Sequence, residues 1–423
     1  MVAAAPFRGL RFDPDVVGDP GAVTAPPYDV ISPAARDAYE AQSPYNMVRL
    51  ILARTGREGP DRYRPVADLM ASWRDQGALV LDPLPSLYLY EEAYELHGRH
   101  RVQRGVLASV ALDDTAAWVL PHERTMAGPV RDRLQLLEAT RTNLSPVFGV
   151  YAGGGAAAGV LDDLTATPPA VDSVDEAGVR HRLWPVADQQ RIAAWCGLLA
   201  GHRVLIADGH HRYRTSLAYR DAMRAAAGAG PWDQVLMFLV DADLHGPSIQ
   251  PIHRLLVDLP ARAVLEALAG DFEARPAGGT AGLEAALAAL PAETTGFGLV
   301  GAGASWLLVA SDQAALVAEV GTGRHPLDAE VLHGPVLAKR LGVKDFERQV
   351  RYENDLAAAT AQVERGAVAS LVVLRPTPFA QVVAVAQSGG TLPQKTTFFY
   401  PKPRDGLVLR PLDPDAFARP PTG

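Results

Sequence analysis

The stretch Ile206-Ala207-Asp208-Gly209-His210-His211-Arg212-Tyr213-Arg214-Thr215 decides how the rest of the chain is read. The apolar run Val204–Ala207 predicts a buried strand ending at Asp-Gly. A helix then starts in His-His-Arg and runs to about Ala227, closed by Gly228 and Gly230. A helix start carries backbone N–H groups without intrahelical partners and the positive end of the dipole, so it attracts anions. Gly209 permits a tight turn and close backbone approach. Arg212 can grip phosphate oxygens in a bidentate fashion, with His210 and His211 as further donors. Asp208, at the strand's carboxyl end, suits Mg²⁺ binding or acceptance of a hydroxyl proton. The same residues equally fit a helix start capped by Asp208 with two surface histidines, and spacing does not separate the two. Neighbouring histidines on a helix diverge by about 100°, so His210 and His211 seldom share one metal ion unaided.

Three other clusters surround this turn. Pro121-His122-Glu123-Arg124-Thr125, with Arg131-Asp132-Arg133 after it, follows the strand-like Trp118–Leu120. Glu123 there is a candidate general base; a solvated loop with helix ion pairs is the plainer alternative. Thr24-Ala25-Pro26-Pro27-Tyr28-Asp29 is a rigid Pro-Pro loop presenting Tyr28 and Asp29 to a ligand, or an ordinary Asx turn. Gln394-Lys395-Thr396-Thr397-Phe398-Phe399-Tyr400-Pro401-Lys402 sets two lysines on an aromatic strand. They suit phosphate, or an exposed sheet face.

The elements between these clusters mix strands and helices. Ser32-Pro33 predicts a capped helix start, and Asp61–Gln76 reads as a helix closed by Gly77. Leu87–Tyr90 and Arg104–Leu112 form a hairpin around Leu96-His97-Gly98-Arg99. Asp132–Arg141 is helical, Ser145–Val150 and Val235–Val240 are apolar strands, and Gly153–Gly159 reads as a flexible loop. From Pro260 alanine-rich helices alternate with strands, which places a subdomain boundary there.

Composition bounds the function. The chain has 423 residues, 48% hydrophobic and 21% charged, enough for a sizeable core. Its net charge of −8 argues against general nucleic-acid or anionic-membrane binding. The single cysteine, Cys196, excludes a disulfide framework and multi-cysteine metal sites, and its apolar setting reads as a small buried hydrophobe. Met1–Leu10 lacks an apolar core and carries Arg8, so no signal peptide is expected and the location is cytoplasmic. No Walker-type loop, no Gly-x-Gly-x-x-Gly opening a helix, no Gly-x-Ser-x-Gly elbow and no zinc-protease helix occurs.

Several motifs in fixed order carry a family resemblance. They are Ala-Pro-Pro-Tyr-Asp-Val-Ile-Ser (25–32), Ser-Pro-Tyr-Asn-Met-Val-Arg-Leu (43–50), Pro-His-Glu-Arg-Thr (121–125) and Ala-Asp-Gly-His-His-Arg-Tyr (207–213). Pro-Ile-His-Arg (251–254) and Pro-Gln-Lys-Thr-Thr-Phe-Phe-Tyr-Pro-Lys (393–402) complete the set. The chain resembles the bacterial and archaeal family catalogued as domain of unknown function number 1015, from about Pro6 to Val408. The 208–213 turn is similar to the phosphate-binding turn of the ParB/sulfiredoxin superfamily. Its free-serine kinases carry Asp-Gly-His-x-Arg, matched by Asp208-Gly209-His210-His211-Arg212. Those kinases are much shorter and do not align with His122–Thr125 or the C-terminal third.

The resemblance implies an α+β fold: a mixed-sheet ParB/sulfiredoxin-like nucleotide-binding core with large family-specific insertions. An N-terminal region over 1–259 would hold that core, and an α/β C-terminal subdomain over 260–423 would return its last strand to the site. The implied activity is a small-molecule kinase or other phosphotransferase using ATP or ADP with Mg²⁺ on a hydroxyl substrate such as serine. Catalysis would fall to Asp208, Glu123 and Asp29, with Asp208 on the metal. Gly209, His210, His211, Arg212, Arg124 and Lys395 would bind nucleotide phosphates, and Tyr28, His122 and Arg133 the substrate. The expected partners are a small molecule and a nucleotide, with no nucleic acid and no membrane, and a homodimer is the candidate assembly. A non-catalytic nucleotide or phosphometabolite sensor is the alternative, and a metal-dependent hydrolase built on His210, His211 and Asp208 is a third.

Overall fold

A computed structural model describes residues 1–413 apart from 57, 60, 124, 322–324, 389, 391 and 394. Two compact units emerge: Met1–Pro247 together with the chain from Pro401 onward, and Ser248–Tyr400. The division expected at 260 falls earlier, because the strand His253–Leu256 pairs with Val350–Glu353 on one side and Ser370–Val373 on the other. At the far end the chain re-enters the first unit at Pro401.

The first unit is built on a nine-stranded mixed sheet. Its strands are β1 (Ala4–Ala5), β2 (Leu87–Leu96), β3 (Arg99–Ala111), β4 (Val119–Leu120), β5 (Val147–Tyr151), β6 (Val171–Val174), β7 (Arg180–Val186), β8 (Val204–Asp208) and β9 (Gln234–Asp241). Their order is β4-β8-β5-β9-β3-β2-β7-β6, with β1 against β3. Only β4/β8 and β5/β9 run parallel; the other pairings are antiparallel. The β2–β3 hairpin turns at His97 and Gly98, both at positive φ (50° and 69°), as a tight turn matched to strand twist requires. Three helices matter for the site: α1 (Ala127–Thr140), α2 (Gln189–Leu199) and α3 (His210–Ala227). Ile192, Trp195 and Leu199 of α2 and Tyr213 and Leu217 of α3 join sheet residues such as Val204, Ile206, Met237 and Leu239 in one buried core. A second core gathers Leu10, Tyr39, Met47, Trp73 and Leu136. It lies under the helices Pro33–Gln42 and Arg64–Asp75, the former capped by Ser32 as its Ser-Pro start predicts.

The glycine run expected to be a flexible loop is ordered. Gly153 and Gly155 donate their N–H groups to the Asp241 carboxylate (3.1 and 2.9 Å), and Gly154 donates to Asp243 (2.9 Å). Parallel pairing of β5 with β9 puts Asp241 opposite Tyr151, just before these glycines.

The second unit holds a six-stranded sheet in the order 272–277, 304–310, 296–301, 370–373, 253–256, 350–353. All its pairings are antiparallel. The α/β reading of this part is therefore corrected. The connection between 301 and 304 is a tight turn with Gly303 at φ 75°, which forces neighbouring strands to reverse rather than cross over.

Candidate functional site

Parallel pairing of β4 with β8 gathers the site. Val204 faces Val119 and Leu205 faces Leu120, so the segments leaving both strands, 121–123 and 208–210, emerge at one end of the sheet. β5 runs antiparallel to β8 and starts at that end, which brings Ser145 and Pro146 alongside. A register shift between Ile206 and Asp208 lets the β8 backbone leave the ladder there. Gly209 follows at φ 90°, and a β-carbon on it would lie 3.0 Å from the Arg212 guanidinium. The glycine thus serves both the left-handed turn and the close packing of Arg212 over it.

The segment 401–405 closes the arrangement from the far end of the sequence. Asp405 exchanges backbone hydrogen bonds with Ala25 (2.8 and 3.1 Å), which anchors the Pro26-Pro27-Tyr28-Asp29 loop. Lys402 donates to Asp208, with Asp29 3.9 Å away. Arg212 donates to the other Asp208 oxygen and to the Pro146 carbonyl. Asp208 and Arg212 are only 12% and 10% exposed, so their charges act in a low-dielectric setting. Burial would raise the Asp208 pKa, but Lys402 and Arg212 outweigh it and hold the carboxyl well below its usual range. Asp208 is therefore a fixed anion that holds two cations together, and a weak proton acceptor. Lys402, 194 residues away in sequence, was beyond the reach of sequence reasoning, and its ion pair weighs against the base role that reasoning gave Asp208.

His122 and His210 are neutral groups. Burial pushes His122 down to about 4 and His210 well below its ordinary value. Their rings meet edge to face, centroids 4.7 Å apart. The His122 backbone N–H donates to His210 Nε2 (3.3 Å), which leaves the His210 proton on Nδ1, 4.0 Å from Glu123. The Met126 N–H donates to His211 Nε2 (3.0 Å). Both imidazoles thus accept a backbone hydrogen bond, and the backbone of the first helical turn, rather than cationic side chains, is what 210 and 211 offer to an anion. The hydrolase arrangement of His210, His211 and Asp208 is not assembled: among the described residues no group of three His, Cys, Asp or Glu side chains could hold a metal ion.

Arg133 is committed to the scaffold. It donates to Asp132 (2.5 Å), to the Ile51 carbonyl (2.6 Å) and to the Tyr63 hydroxyl (3.2 Å), and covers the Tyr28 ring at 4.5 Å. Its contribution to a substrate runs through Tyr28. A cavity of about 60 Å³ lies between Tyr28, Arg133, Ser145, Arg212, Thr215 and Ser216, with Ile51, Leu136 and Leu137 on its apolar side. That is room for a few water molecules. Lys395 is an exposed turn residue at φ 57° in the second unit, and Arg124 lies outside the described residues. The lysine of this motif that reaches Asp208 is Lys402.

Sequence reasoning missed Arg404 and Asp405. Arg404, 4% exposed, donates to Asp175 (3.2 Å), Glu176 (3.1 Å) and Thr24 (3.1 Å), which pins the segment to the β6–β7 connection and to the start of the proline loop. Asp405 is fully buried, accepts from the Ser145 hydroxyl (2.7 Å), and among the described residues has no hydrogen-bond partner for Oδ1. Burial pushes its carboxyl up to about 7, against the pull of Arg212 and Ser145. The Asp-Gly pair at 405–406 was a turn signal at most.

A protein family described as "protein of unknown function (DUF1015)" matches residues 4–334, more than three quarters of the chain. The chain belongs to this family. No curated protein matches it. Its solved structural neighbours include a conserved hypothetical protein from Pyrococcus furiosus, at 15% identity and TM-score 0.34, covering 71% of this chain and 94% of that one. A free serine kinase in complex with AMP is similar at 14% identity and TM-score 0.35 over 67% and 84% of the two chains. SbnI from Staphylococcus aureus, with a C-terminal truncation, gives 11% and 0.37 over 72% and 87%.

Proposed function

We propose that this family member is a phosphotransferase that moves a phosphoryl group from ATP or ADP to a small hydroxyl compound such as serine. In this reading the first unit is an elaborated ParB/sulfiredoxin-like core, and the protein is cytoplasmic. The observation that carries the proposal is the strand–Gly209–helix turn with Asp208, Arg212 and Lys402 clustered on it. Phosphoryl transfer needs positioning and charge neutralisation more than covalent chemistry. The first-turn N–H groups of α3 would take the phosphates, with Arg212 and Lys402 neutralising charge as the terminal phosphoryl group moves. Asp208 keeps both cations in register between turnovers. Tyr28 and the cavity beside it would take the acceptor, with Asp29 near Lys402 and Glu123 near His210 as the further carboxylates of the proposed site.

Magnesium fits this donor set only as an ion carried largely by the nucleotide. Mg²⁺ commonly keeps its waters and binds one or two carboxylates plus substrate phosphates. Asp29 and Asp208 are the carboxylates that would meet it, and bound there it would neutralise phosphate charge.

The test is direct. Protein is incubated with ATP or ADP, Mg²⁺ and hydroxyl amino acids, serine first, and ³¹P NMR follows product. Phosphorylated acceptor formed by wild type and lost in Arg212→Met supports the reading. Nucleotide binding without transfer to any acceptor would make the protein a nucleotide-binding regulator instead.

A further inference from the structure

Asp405 is a buried carboxyl group next to the site that the phosphotransferase reading leaves unused. It sits behind the cavity between Tyr28 and Arg212, with Ser145 in between: Ser145 lines that cavity, and its hydroxyl donates to Asp405 Oδ2 at 2.7 Å. Among the described residues Asp405 Oδ1 is buried without a hydrogen-bond partner, an arrangement that costs free energy and calls for a functional reason. Its backbone is locked to Ala25 in both directions, so the carboxyl group is held in place. The charged neighbours come from three other elements: Arg212 of α3, Asp208 at the end of β8, and Asp29 of the proline loop.

We infer that Ser145 and Asp405 form a proton relay that receives the acceptor's hydroxyl proton from the cavity. The inference rests on the phosphotransferase reading. In the step, the acceptor O–H proton passes to Ser145 Oγ as the Ser145 proton passes to Asp405 Oδ2. The acceptor oxygen forms its bond to the terminal phosphorus as the bond to the nucleotide's bridging oxygen breaks. The nucleotide leaves with one phosphate fewer, and Asp405 returns its proton to solvent. Ser145 is the group that touches substrate; Asp405 acts through it. Asp208 cannot take this part, because Lys402 and Arg212 hold it ionised. A carboxyl group that titrates at about 7 is matched to accepting a proton at neutral pH.

The experiment measures kcat and KM from pH 5.5 to 9 for wild type, Asp405→Asn and Ser145→Ala on the full-length protein. Wild-type kcat should rise through one ionisation near 7, because the relay works only with Asp405 deprotonated. Asp405→Asn should lower kcat by roughly 10²–10⁴-fold with the nucleotide KM unchanged, and abolish that ionisation. Ser145→Ala removes only a hydroxyl, so it covers the case where Asp405→Asn does not fold. It should lower kcat and remove the ionisation from the kcat profile, because the Oγ that links the acceptor to Asp405 is gone. A merely structural role would leave that limb in place. The relay is overturned if an active wild type keeps its kcat and pH limb in Asp405→Asn, or in Ser145→Ala where Asp405→Asn does not fold. If wild type binds nucleotide but transfers nothing, the phosphotransferase reading fails first and takes the relay with it.

Discussion

Replacing Lys402 by Met tests whether the Asp208 cluster organises the site. The swap keeps much of the side chain's length and removes its charge. Lys402 and Asp208 are 13% and 12% exposed, so solvent screening is weak. A unit pair about 4 Å apart at an effective dielectric of about 20 attracts by roughly 4 kcal/mol. Removing one partner of a fully buried pair costs about 3–5 kcal/mol. Arg212 stays on Asp208 and compensates part of its charge, which brings the expected loss to about 2 kcal/mol. Urea unfolding followed by tryptophan fluorescence is the assay, because Trp73, Trp118, Trp184, Trp195 and Trp232 lie in the first unit and only Trp306 in the second. A cycle with Asp208→Asn isolates the pair, with a coupling of about 2 kcal/mol expected at pH 7. Asp208 is depressed in the folded state, so its stabilisation is present above the unfolded carboxyl's pKa of about 4 and fades as pH falls below it. A coupling under about 0.5 kcal/mol at pH 7 would refute the argument that Lys402 and Arg212 jointly hold this carboxylate.

Two further outcomes follow from the same geometry. Gly209→Ala puts a side chain at φ 90° against the Arg212 guanidinium, and should cost about 1–2 kcal/mol while weakening nucleotide affinity, read by urea unfolding and calorimetry. Glu92, on β2 opposite Gln103 of β3, is fully buried, and burial pushes it up to about 8 despite bonds from Gln103 and Tyr90. Its folded pKa lies above the unfolded one, so wild-type stability should fall as pH rises from about 5 to 8, by at most about 1.4 kcal/mol per pH unit from this group. Glu92→Gln should flatten that slope in melting temperature against pH. An unchanged slope would assign the titration elsewhere.

Much of the first unit was legible because its signals are local. The β8–Gly209–α3 junction, the hairpin at 97–98 and the Ser32-Pro33 helix start each rest on residues within a few positions of one another. The proposed nucleotide turn belongs to this class. What sequence could not show is set by long-range pairing. The aromatic-basic motif held both Lys395 and Lys402, and nothing in its spacing says that Lys402 would reach Asp208. Asp405 depends on a bridge to Ala25, which only the folded chain brings together. The antiparallel second sheet was misread because alanine-rich helices between strands look alike whether the chain crosses over or doubles back.

The central claim is that the Gly209–Arg212 turn binds nucleotide phosphates, and calorimetric titration of the full-length protein with ATP and ADP, with and without Mg²⁺, tests it most directly. Wild type should bind at least one nucleotide, Arg212→Met should lose most of that affinity, and saturation at about 100 times Kd should stabilise the wild type by roughly 2.7 kcal/mol. No heat and no stabilisation with either nucleotide, or equal affinity in Arg212→Met, would contradict the account.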